Sequence, residues 1–142
     1  INMKKRNPYP TEIEIMKTPV PHKRETLEFM KKWKVKHKEK GYHNDTALTD
    51  LIFGLAKVYN KQKNLSIIFS SKISSYTTNH ITLKNKSIIT ALHELAHHLY
   101  GRNEKIACRW SIWLFIKIFP QEFEALIFKG HLLVKKDTIT IK

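Results

Sequence analysis

Cysteine occurs once in these 142 residues, at Cys108. A single thiol cannot close an intrachain disulfide, and it rules out zinc modules built on several cysteines. It suits a reducing, cytoplasmic setting. Long hydrophobic runs are also missing. No stretch of about 18 apolar residues occurs, which excludes a transmembrane helix and takes a membrane off the list of expected partners. The most apolar segment, Trp110 to Phe119, is shorter and broken by Lys117, so it reads as a buried helix. The first residues carry basic side chains with no apolar stretch behind them, so no secretory signal is expected. Arginine is scarce as well: Arg6, Arg24, Arg102 and Arg109 are the only ones among 26 basic residues. The net charge of +14 is therefore almost entirely lysine. Lysine is a strongly hydrated point charge, whereas arginine is the usual reader of base edges. The charge predicts attraction to polyanions without sequence reading. An AT-rich genome would enrich lysine, isoleucine and asparagine in the same way.

What is present fits one domain with one core. Residues 1–21 contain Pro8, Pro10, Pro19 and Pro21, which forbid a regular helix and leave an N-terminal arm. Residues 22–142 form the single domain. A basic amphipathic helix is expected from His22 to Lys40, with Leu27, Met30 and Trp33 facing inward and Gly41 as the stop. Its Lys31, Lys32, Lys34, Lys36, Lys38 and Lys40 read as a solvated face or as a face that tracks phosphates without sequence preference. Trp33 can stack on an unpaired base or fill the core.

Asp45 or Thr46 can cap a second helix with the apolar stripe Leu48, Leu51, Ile52, Leu55 and Val58. A loop over 61–64 precedes a strand in "LSIIFSSKI". A turn and a second strand follow, in which His80, Thr82 and Lys84 alternate with Ile81 and Leu83. Ser87 caps the next helix, and another runs from about Asn103 to Phe119. "QEFEALIF" makes a short last helix ending at Gly130, and "KDTITIK" an exposed strand. The expected class is α+β: a small twisted sheet packed on a central helix, with further helices beyond it.

That central helix carries "LHELAHHLYG". His93 and His97 stand four apart, one turn along one face, so two imidazoles can reach a single ion. Zinc takes neutral imidazole, and a catalytic site needs three protein ligands with the fourth position open to water. Glu94, one step round the helix, can serve as general base rather than as an equal ligand. Ile88, Ile89, Leu92, Leu95, Ala96 and Leu99 clothe the rest of the helix, so it is buried, and buried polar groups need partners.

His98 points about 100° away from His97 and cannot complete the set. Glu104 would be out of reach on an unbroken helix, but Gly101 can end the helix and turn the chain back. Asn103 can then cap the next helix and bring Glu104 close in its first turn. Glu104 is the third ligand in this reading, or else simply an acid favoured at a helix start. His131 and His80 are the alternatives.

From about Tyr76 to Pro120 the chain resembles a minimal HExxH zinc metallopeptidase core. A strand "NHITL" precedes the "LHELAHHLYG" helix, and a helix beginning "NEKIACRWSIWLF" follows it. This is similar to the ImmA/IrrE-type peptidases, with the SprT-like proteases second. In the ImmA/IrrE group a Glu near the start of the next helix completes the zinc site, and its E-x-x-A pattern matches Glu104 and Ala107. The spacing from His97 to Glu104 is short for that group.

The resemblance implies a zincin-like fold with zinc held by His93, His97 and Glu104, and peptide-bond hydrolysis with Glu94 as base. It also implies that the strand His80–Leu83 is an edge on which substrate pairs. Tyr76, Tyr100, His80 or His131 would stabilise the oxyanion. The implied substrate is a protein or peptide, such as a DNA-bound regulator. The alternative from the charge is a lysine-rich nucleic-acid-binding module, acting through the Lys31–Lys40 helix, whose metal site is structural or vestigial.

Overall fold

A computed structural model of the chain describes residues 23–123 except 71, 73 and 85, and leaves out the Glu104 side chain. The expected N-terminal arm, His131, the end of the last helix and the C-terminal strand lie outside the described residues.

Helix α1 (Arg24–His37) buries Thr26, Met30, Trp33 and His37, residues three or four apart and hence on one face. Trp33 is 1% exposed and donates its Nε1–H to the Ala47 carbonyl at 2.8 Å. Its role is the core, and base stacking is excluded. Nor do the six lysines form one outer face. The Lys34 ammonium donates to the Ile118 carbonyl at 2.7 Å and lies 4.6 Å from the centre of the Phe119 ring. A long flexible stem lets this charge reach an orphan carbonyl at another helix's C-terminus, which helical spacing alone does not reveal.

Helix α2 (Asp45–Val58) is capped by Asn44, whose side chain accepts from the Ala47 amide at 2.9 Å. The cap thus falls one residue before Asp45 and two before Thr46, and Asp45 sits in the first turn, where an acid favours the helix dipole. Leu48, Leu51, Ile52 and Leu55 are buried as expected. Gly54 allows α1 and α2 to approach closely: a Cβ there would collide with the Phe29 ring.

Three strands follow, β1 (Ser66–Phe69), β2 (Ser75–Thr77) and β3 (His80–Leu83), in the order β1-β3-β2. Strand β1 runs parallel to β3, and β2 antiparallel to it. Two expectations are corrected here. Residues 75–77 are a strand of their own, joined to β3 through Asn79 at φ 63°, a conformation asparagine tolerates. And β3 is the central strand, paired on both sides, so it cannot accept an added strand.

Ile81 and Leu83 of β3 are buried, while His80 and Thr82 take the opposite face of the sheet. The buried face rests on α3 (Ile88–Tyr100), which also touches α2 and α4 (Glu104–Ile118). Ser87 caps α3 through the Thr90 amide. The helix of the HExxH motif is therefore the centre of a mixed α+β fold. Among the described residues, no helix is long and apolar enough to cross a membrane.

Candidate metal centre

Ala91, Leu92, Leu95 and Ala96 are fully buried, which pulls the same stretch of α3, with its polar residues, into the interior. His93 is 4% exposed and Glu94 9%. His97, one turn further on, is half-buried. The two imidazole centres lie 4.9 Å apart with the rings nearly perpendicular.

Gly101 holds His97 twice. Its amide donates to the His97 carbonyl at 2.9 Å, closing the last turn of α3. Its own carbonyl accepts from His97 Nδ1 at 2.9 Å. That second bond places the proton on Nδ1 and the lone pair on Nε2, the tautomer in which histidine ligates a metal. The glycine takes φ 95°, a left-handed value that L side chains rarely adopt. His93 Nδ1 lies 3.8 Å from the thiol of Cys108 on α4, buried like itself. Cys108 thus occupies on His93 the position that the Gly101 carbonyl occupies on His97.

Asn103 caps α4 by accepting from the Ile106 amide at 3.1 Å, as expected from sequence. Glu104 opens α4 right after the Gly101 turn, and its side chain lies outside the described residues. Among the described residues, no three His, Cys, Asp or Glu side chains gather as a metal-binding group. Two imidazoles whose Nδ1 atoms have partners, on one face of one helix, are a donor pair that suits zinc.

A pocket of about 330 Å³ opens over Glu94 and His97, walled by Tyr76, Thr77, Thr78 and Arg102. Sequence reasoning did not point to these threonines, because they sit on and just after the unrecognised strand β2. It also passed over Arg102 and Cys108. The signal for the first is its place directly after the helix-ending glycine; for the second, its place one turn beyond Glu104.

The remaining candidates are placed elsewhere. His98 donates its Nε2–H to the Lys61 carbonyl at 2.6 Å and accepts from the Tyr76 hydroxyl at Nδ1, at 3.0 Å. The same Tyr76 oxygen accepts from the Asn79 amide at 3.0 Å. His98 therefore fastens the β2–β3 turn and the loop before β1 to α3. His80 bonds the Ser66 hydroxyl on the outer face of the sheet and does not join the histidine pair. Tyr100 packs edge-on against Tyr59 and Trp110, and burial together with its bond to Tyr59 raises its pKa.

No protein-family profile, curated protein or solved structure matches this chain.

Proposed function

We propose that this protein is a zinc-dependent metallopeptidase of the HExxH type. The observation that carries it is the bond from His97 Nδ1 to the Gly101 carbonyl, beside a buried His93 and a Glu94 that shares the pocket. His93 and His97 would hold the zinc, with Glu104 as third ligand on the strength of its place after the Gly101 turn. Zinc bound there would polarise the scissile carbonyl and lower the pKa of a water.

Glu94 takes the proton from the attacking water and passes it to the leaving amine. Peptide lies along the outer edge of β2, whose other edge is paired with β3, and adds to the sheet as a further strand. Thr77 and Thr78 at the end of that strand line the pocket, so the added strand leads to Glu94. The Tyr76 hydroxyl, steadied by His98, is the nearest of the expected oxyanion partners to this pocket. A cytoplasmic setting fits the lone buried thiol. The substrate class implied by the ImmA/IrrE resemblance is a protein or peptide, such as a DNA-bound regulator.

The deciding experiment measures zinc content and peptide-library cleavage together in wild type and Glu94→Gln. Zinc should stay bound in the variant while cleavage falls by about 10² or more. Equal cleavage by both proteins would remove Glu94 from the chemistry. Absence of zinc from both would end the metallopeptidase reading.

A further inference from the structure

An open groove of about 1180 Å³ lies between the last turn of α1 and the first turn of α2. Its cations come from separate parts of the chain. Lys36, Lys38 and Lys40 line it from the end of α1 and the turn beyond, and Lys86 from just before the α3 cap. Two carboxylates also line it, Glu39 and Asp45, of which Asp45 is paired with Lys86 at 3.4 Å. Lys36 is drawn to Asp50 at 3.3 Å. Among the described residues, Lys38 and Lys40 form no ion pair. The positive end of the α2 dipole points the same way, since Asn44, Asp45 and Thr46 form one wall. Cations gathered in a concave wall focus the field and attract an anion.

We propose that this groove binds the phosphate backbone of a nucleic acid through Lys38, Lys40 and Lys86. Three features favour phosphates over an acidic protein. The cations come from two separate parts of the chain and line one open groove rather than meeting at a point, which suits a run of successive phosphates. Val35 is the one apolar side chain lining it, so the groove lacks the aliphatic or aromatic anchor pockets on which protein interfaces rely. And Trp33 is buried and offers no ring to a base, while lysine gives backbone contact without sequence reading.

Lys86 and His97 are separated by eleven residues along or beside α3, about 16 Å at a helical rise of 1.5 Å per residue. Groove and pocket thus lie toward opposite ends of α3, and an occupied groove leaves Glu94 accessible. Binding in the groove is independent of the metallopeptidase reading.

The test is a salt titration of full-chain protein on a fluorescent 20-base-pair duplex, read by anisotropy. The variants are K38Q/K40Q/K86Q, the charge-retaining K38R/K40R/K86R, and K31Q/K32Q/K57Q, which removes three exposed lysines outside the groove. Losing Lys38 and Lys40 should reduce the log–log salt slope by about 1.8, and losing Lys86, which phosphate must first draw off Asp45, by up to about 0.9 more. The arginine triple should keep the wild-type slope, and the control triple should lose less than about one unit of slope. Thermal melts verify that all variants fold, as expected for exposed side chains. Equal slope losses in the groove and control triples would overturn the assignment in favour of diffuse charge. So would wild-type protein that fails to bind the duplex at low salt. Tighter binding to polyglutamate than to the duplex at the same salt would give the groove to an acidic protein instead.

Discussion

The two ends of α3 handle charge in opposite ways. Toward its C-terminus, His93 and Glu94 are buried, and the neighbouring His97 is held by the backbone of Gly101. Toward its N-terminus, Lys86 joins the exposed lysines of the α1–α2 corner in an open groove. Burying polar groups costs several kcal/mol unless each has a partner, so the first arrangement exists only with its supports in place. Exposed lysines cost almost nothing, and any one of them means little. What distinguishes the groove is convergence in space. The first end is therefore sensitive to single atoms, and the second only to summed charge.

Removing a donor at the C-terminal end should give the largest effect. His97→Ala takes away a proposed ligand together with its tautomer-fixing bond, so zinc bound per chain should drop from one to near zero. Elemental analysis after gel filtration reads this directly. Near-stoichiometric zinc in His97→Ala would move the metal elsewhere. The matching lesion in the core is Trp33→Ala, which removes an α1 side chain buried against Tyr42 and Phe119. It should cost about 3–5 kcal/mol of stability. Urea unfolding measures it, and a loss below about 1 kcal/mol would contradict the core role of Trp33.

These two residues also show how far sequence can be read. The spacing of His93, Glu94 and His97, the Ser87 and Asn103 caps and the Gly101 stop all follow local rules, and the structure has them where those rules put them. Contacts between distant segments were not legible. Strand β2 is only three residues long, rich in serine and threonine, and pairs solely because β3 lies beside it. The fate of Lys34 depends on a carbonyl 84 positions away. Local periodicity carries no information about either. The central place of β3 is illegible for the same reason: its alternation shows which face is buried, not which strands pair along its two edges.

A smaller effect should come from Gly101→Ala. The side chain meets no atom within 4 Å, so the penalty lies in the backbone alone: φ 95° with ψ −161° is a region kept almost entirely to glycine, and an alanine there costs about 1–3 kcal/mol. If the turn relaxes toward an ordinary φ, the carbonyl moves away from His97 Nδ1. Zinc affinity should then fall by about 10- to 100-fold, the usual cost of losing an outer-shell partner. Competition with a chelator of known affinity measures it. Unchanged affinity would mean that His97 keeps its tautomer without Gly101. Cys108→Ala offers the parallel test for His93.

The smallest expected effect belongs to Asp50, which sits on α2 just beyond the groove and holds Lys36 and His37 of its wall. Its carboxylate accepts from His37 Nε2 at 2.8 Å and pairs with Lys36 at 3.3 Å. Partial burial pushes its pKa up, but the bonds from His37 and Lys36 outweigh burial, and the net shift is downward. A carboxylate whose folded pKa is depressed stabilises the fold fully above its unfolded value of about 3.9 and loses that contribution as pH falls through the lower folded value. Asp50→Asn should therefore melt slightly below wild type at pH 7 and pH 5, and the gap should narrow as pH falls below about 4. The effect is small because the pair is partly solvated and screened. A gap that does not narrow anywhere on the acid side would show that Asp50 contributes through shape rather than charge. Asp50→Asn also releases Lys36 into the groove, so at pH 7 the salt slope on duplex DNA should steepen by up to about 0.9, one further phosphate contact. A steeper slope combined with a lower melting temperature would separate the two roles of Lys36, since the same substitution removes a stabilising pair and frees a cation for the groove.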